Sequence, residues 1–144
     1  MKTFYCPYCN EKLSFLNGSL IKLLGHLSSS KFNASTYFYI PGTIGSYDVM
    51  VEGRFELKDG LKVDFCCINN KCEKSFTTDY DNDLAEIKMI DDDGREYVVV
   101  FNRIYGKHST FVVDYKHKAI AGSYGEDKAT YIHDFDKDIN FFGE

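Results

Sequence analysis

Two pairs of cysteines constrain this chain more than any other feature. Cys6-Pro7-Tyr8-Cys9 is a CxxC, and Cys67-Ile68-Asn69-Asn70-Lys71-Cys72 is a CxxxxC. Thiolates at these spacings, carried on tight turns, can converge on one ion. Two such pairs complete the tetrahedral four-sulfur shell that Zn²⁺ accepts. Any fold that uses them must bring the two turns together across the 57 residues that separate Cys9 from Cys67. Long-range contact is therefore built into the topology, and the loop it closes is costly in chain entropy.

The neighbouring residues suit such turns. Pro7 pre-sets the first turn, and Asn10 tolerates the left-handed conformation that the residue after a knuckle needs. Asn69 and Asn70 are expected to do the same in the second turn, and backbone N–H groups there can point at the thiolates. Parity along 61–67 places Cys67 on the face of Leu61, Val63 and Phe65, and Cys66 on that of Lys62 and Asp64. Cys67 is thus the expected ligand, and Cys66 is a spare thiol or a substitute ligand. The competing account of all five is that of reduced cysteines filling a core.

The segments Phe4-Tyr5-Cys6-Pro7-Tyr8-Cys9, Val63-Asp64-Phe65-Cys66-Cys67 and Cys72-Glu73-Lys74-Ser75-Phe76 resemble a zinc ribbon or related two-knuckle zinc finger. They cover about 30 of the 144 residues, so a module is matched and not the chain. The resemblance implies one structural zinc held by Cys6, Cys9, Cys67 and Cys72. Two features depart from it: Asn10 stands where Gly is usual, and the second knuckle has four spacers where two are commoner.

The remaining pattern predicts an α+β domain, mostly antiparallel hairpins with one early helix. Leu20, Leu23, Leu24 and Leu27 fall at i, i+3, i+4 and i+7, which predicts a helix near 19–28, weakened by Gly25. Alternation over 47–57 predicts a half-buried strand with Gly53 as a bulge, paired through Lys58-Asp59-Gly60 with 61–65. Strands are further expected over 85–89, 97–101, 110–115 and 119–124. Asp91-Asp92-Asp93-Gly94 and Lys116-His117-Lys118 serve as turns, and 97–101 is covered on both faces. Tyr37-Phe38-Tyr39 reads as strand packing. The length favours a single domain over 1–144, with knuckles at 3–15 and 61–78, a helix/hairpin insertion at 16–60, and an acidic antiparallel β region at 79–144.

Charge narrows the function classes. Residues 1–78 carry a balance of +2 and residues 79–144 a balance of −7, giving the net −5 of the chain. No basic stripe offers itself to phosphate, so general nucleic-acid binding is not expected. No apolar run reaches the ~18 residues of a membrane span and the N-terminus lacks a secretory pattern, which together predict a cytoplasmic protein without membrane contact. Asp79/Asp81/Asp83, Asp91/Asp92/Asp93 and Asp134/Asp136/Asp138 read as solvated acidic turns before ion sites, because the marks of a calcium loop are missing. His26, His108, His117 and His133 are scattered. A closed sulfur shell has no open coordination position, which points to a non-catalytic, zinc-stabilised binding module working through contacts with a protein partner, one of basic character. Two other classes stay in view. One is a nucleic-acid adaptor that gathers Lys2, Lys12, Lys71 and Lys74 around the knuckles. The other is an enzyme with a site assembled from dispersed His and Asp residues.

Overall fold

The computed structural model describes residues 2–28, 33–53, 57–116 and 119–132. They form two five-stranded antiparallel sheets. In the first sheet the order is β1 (Thr3–Tyr5), β7 (Leu84–Ile90), β8 (Glu96–Asn102), β9 (Thr110–Asp114) and β10 (Ala119–Tyr124). The second sheet is built on β3 (Leu20–Ser28), which pairs along its whole length with β4 (Asn33–Pro41). Its other edge is shared: β2 (Ser14–Phe15) takes Leu20 and Ile21, and β6 (Val63–Cys66) takes residues 24–27. The short β5 (Met50–Val51) closes the far side of β4.

The predicted helix over 19–28 is therefore a strand, and the fold is sheet-rich instead of α+β. The leucine spacing fits a helix, but the same segment also alternates. Ile21, Leu23, Gly25 and Leu27 are buried, while Lys22, Leu24 and His26 face outward. Two partner edges and an inward apolar row outweigh local helix propensity. Gly25, which counted against a helix, marks the strand. A Cβ at this position would fall on the Phe38 ring of β4 and 2.9 Å from Val63 Cγ1 of β6, the close approach that an isolated strand glycine often signals. The single described helix, α1 (Lys128–Tyr131), is one turn long.

The strand expected over 47–57 is also corrected. Among its described residues only Met50 and Val51 pair, and the chain bends at Gly53, whose φ is +86°; the 54–56 part of the predicted strand lies outside the described residues. The turn at 58–60 exists, with Leu61 N–H donating to the Lys58 carbonyl at 3.1 Å. Beyond that turn, β6 pairs with β3 and not with the preceding strand. A strand bordered by two possible partners joins the one that offers more apolar surface, here the inward row of β3. Strands β7 to β10 fall where the sequence pattern placed them, and β7 is joined to β8 at Asp91 to Gly94 by a polar turn in which Asp91 Oδ1 accepts from the N–H groups of Asp93 and Arg95. The 117–118 part of the next predicted turn lies outside the described residues.

The two sheets share one core. Phe4, Ile87, Met89, Val99 and Val112 of the first sheet pack with Ile21, Leu23, Leu27, Phe38, Val63 and Phe65 of the second. Phe65 meets Phe101 across the interface at 5.6 Å between ring centroids. Behind the first sheet, Leu84, Val100 and Phe111 bury a second cluster with Tyr131 of α1. Val99 and Val100 thus point to opposite, covered faces, which explains the unbroken apolar run of β8. No helix among the described residues is long and apolar enough to cross a membrane.

Gly25→Ala is expected to destabilise the protein by about 1–3 kcal/mol through overpacking against Phe38. Thermal denaturation checks it, and Gly25→Ala combined with Phe38→Leu should lose less than the sum of the two single changes.

Candidate metal centre

Each cysteine pair sits in a hairpin that passes between the sheets. In the first hairpin β1 belongs to one sheet and β2 to the other, and Leu13 N–H donates to the Phe4 carbonyl at 2.8 Å. In the second, β6 runs into the knuckle and the chain returns over residues 75–77. There Phe76 N–H donates to the Phe65 carbonyl of the second sheet, and Glu86 N–H of the first sheet donates to the Phe76 carbonyl, both at 2.8 Å. Both crossings lie at one corner of the molecule, and that corner is where the cysteines meet.

The two turns are built on one plan. Cys6 N–H donates to the Glu11 carbonyl at 2.9 Å, and Cys67 N–H donates to the Lys74 carbonyl at 3.2 Å. The N–H two residues after each leading cysteine, on Tyr8 and on Asn69, lies 3.4 Å from that cysteine's Sγ. The residue after each trailing cysteine takes a positive φ, +62° at Asn10 and +52° at Glu73. Asn10 was legible from its residue type. Glu73 was not, and Asn69 and Asn70 do not take that role. Asn69 instead closes the longer turn, its carbonyl accepting from Cys72 and Glu73 N–H at 3.0 and 3.1 Å and its Oδ1 accepting from Lys71 N–H at 2.9 Å. The CxxxxC is a CxxC turn enlarged by two residues that Asn69 organises.

The sulfurs of Cys6, Cys9, Cys67 and Cys72 all lie within 4.8 Å of one another. The Cys6–Cys72 and Cys9–Cys67 separations are 3.9 and 3.6 Å. A tetrahedral ion with metal–sulfur bonds of ~2.3 Å places its sulfurs about 3.8 Å apart, so the donor set fits such an ion. These four residues could hold a metal ion, and they are the one such group among the described residues. Cys66, next to Cys67, stays outside the cluster. It is buried, contrary to its parity with Lys62 and Asp64, and its Sγ lies 3.9 Å from the Asp64 carbonyl. Burial, with Asp64 adding to it, pushes its thiol up to about 11.

The electrostatics explain why the cluster calls for a cation. Cys6 and Cys67 are completely buried, Cys72 is half-buried and Cys9 is exposed. Burial pushes the thiols of Cys6 and Cys67 above the ordinary range, against the backbone N–H groups that favour their thiolates. Slight burial acts the same way on Cys9, but the Glu11 N–H and the neighbouring thiols outweigh it and pull that thiol down. Without a cation the buried pair resists ionisation, and with one the same burial strengthens the bond. Cys9 gives the centre an open side through which an ion can enter.

The other candidate groups are absorbed by local structure. Asp81 Oδ1 accepts from Asp83 N–H at 2.9 Å, and Asp83 faces Lys62 at 2.9 Å and Tyr131 Oη at 3.0 Å. Lys62 beside Asp83 holds its carboxyl below the usual range. His26 pairs with Ser35, and His108 stacks on Tyr47 at 4.4 Å. His117, His133 and Asp134, Asp136 and Asp138 lie outside the described residues. Comparisons with family models, curated proteins and solved structures return no match.

The geometry makes two outcomes measurable. Cys9→Ala should lower both bound metal and melting temperature sharply, whereas Cys66→Ala, outside the cluster, should keep the metal and cost about 1 kcal/mol; elemental analysis and thermal melts separate them. Because binding must displace protons from raised thiols, apparent zinc affinity should rise steeply from about pH 6 to about pH 8. Competition against a chromogenic chelator at each pH measures it.

Proposed function

We propose that this protein is a non-catalytic binding module, stabilised by one structural zinc on Cys6, Cys9, Cys67 and Cys72, that works through contacts with a protein partner. The observation that carries this reading is the four-sulfur shell itself. Four protein donors fill a tetrahedral site, so the ion would have no position for water or substrate and would serve the fold.

The surface beside the centre supports a basic partner. Tyr8 and Tyr80 are about half exposed, and Asp79 and Glu86 lie close enough to Tyr8 to raise its phenol, after burial. Tyr80 Oη reaches Glu86 at 3.5 Å. Aromatic rings with neighbouring carboxylates suit a Lys- or Arg-bearing segment, through ring faces and charge together. Lys74 already illustrates the contact, its Nζ lying over the Tyr8 ring at 5.1 Å. The nucleic-acid reading would need the lysines free for phosphate, and Lys74 is partly engaged in this way.

Affinity capture from the native cell with the full chain should retain a protein that is lost with Tyr8→Ala combined with Tyr80→Ala, and that elutes as salt is raised. Gel shifts against DNA and RNA at low salt should show no tight complex. Submicromolar binding abolished by changing Lys71 and Lys74 would establish the nucleic-acid reading in its place.

A further inference from the structure

A cavity of about 140 Å³ lies between the two sheets, away from the cysteine corner. Most of its wall is apolar, with Val63 and Phe65 of β6, Val99 and Phe101 of β8, and Ile44 and Val49 from the segment between β4 and β5. An apolar cavity of ~150 Å³ admits a benzene-sized body. The volume therefore sets the size of an occupant.

Charge sets its chemistry. In a chain of net charge −5, no Asp or Glu among the described residues lines this cavity, whereas Arg103, Lys107 and His108 do. Arg103 is 8% exposed. Its guanidinium is fixed by Nε donating to the Val63 carbonyl at 2.8 Å and by Nη1 donating to the backbone carbonyl and Oδ1 of Asn82. Those partners are neutral. Its Nη2 has no hydrogen-bond partner, and no carboxylate forms an ion pair with Arg103, among the described residues. A buried cation usually has an anion beside it, and an Arg held rigidly by two backbone carbonyls is already oriented to take one. His108 is differently placed: its Nδ1 faces Glu126 at 3.1 Å and its backbone N–H donates to Asp127 Oδ2 at 2.7 Å. Lys107 is exposed and stands at the rim.

We propose that this cavity binds a small organic acid, with its apolar body between Val63, Phe65, Val99 and Phe101 and its carboxylate neutralising Arg103. Tyr47, held over the rim by its stack on His108 and by its 3.0 Å hydrogen bond to Thr110 Oγ1, closes the polar side. None of the four clustered cysteines lines the cavity, so the site is separate from the cysteine cluster.

The test is a titration of the isotopically labelled full chain, purified without chelator, followed by amide chemical shifts. Benzoate and hexanoate are the probes, and benzyl alcohol is the neutral control. Saturable shifts at Val63, Val99, Phe101 and Arg103 are expected with the acids, with affinity about tenfold weaker for the alcohol. Arg103→Lys should weaken the acids while sparing the alcohol. Ile44→Trp, placed on the segment between β4 and β5, should block both without touching the Arg103 bonds, and a native-like amide spectrum of each variant establishes its fold. Three results would overturn the proposal: no saturable shifts from either acid, equal affinity for benzoate and benzyl alcohol, or binding unchanged by Ile44→Trp.

Discussion

The meeting of two hairpin turns at one corner is the constraint on which the rest of the architecture depends. Facing sheets are ordinarily held by side-chain packing alone, and here by Phe65 against Phe101 and the shared aliphatic core. At the cysteine corner the backbone itself passes from sheet to sheet twice. The first hairpin gives one strand to each sheet, and residues 75–77 hydrogen-bond to β6 on one side and β7 on the other. Four sulfurs on these crossings place the ends of a 58-residue separation within 3.6 Å. The pairing fixes how the sheets are set against each other, and Phe4, Leu13 and Phe76, all fully buried, fill the space it defines.

Polar groups are handled locally elsewhere in the fold. The acidic turns that dominate the second half of the sequence satisfy their own backbone: Asp91 serves two N–H groups and Asp81 serves one. Asp83 goes further and ties the Lys62 region to Tyr131 of α1. Part of the negative charge of residues 79–144 therefore does turn-making work as well as charging the surface.

The cysteine pairs, the strands from β7 onward and the left-handed Asn10 were legible in the sequence because each rests on a local rule: ligand spacing, period-two alternation or a short unbroken apolar run, and the conformational tolerance of one residue type. The departures share a cause. Residues 20–28 carry two periods at once, and the choice between them is made by β4 and β6, which no window of local sequence contains. Residues 47–53 alternate well enough for a strand, but Gly53 and the competing edge of β3 take the partner away. Glu73 adopts a positive φ that its residue type does not advertise, imposed by a turn that Asn69 has already closed. Likewise nothing in sequence spacing brings Arg103 beside Val63, a contact across the two sheets that only the tertiary fold creates.

The division of the first hairpin between the two sheets carries a consequence for how the chain is made. Strand β1 and the first two cysteines leave the ribosome well ahead of their partners, for β1 pairs with β7, some eighty residues later, and the fourth sulfur arrives only with Cys72. The long β3–β4 hairpin can form early because its partners are adjacent in sequence. The β1 segment can close its hairpin on residues 11–13 at once, but its sheet edge waits for β7, not yet synthesised. The first of the described strands therefore completes its sheet pairing late, and the interval in which it waits for its partner runs from the emergence of Cys9 to that of Ile90.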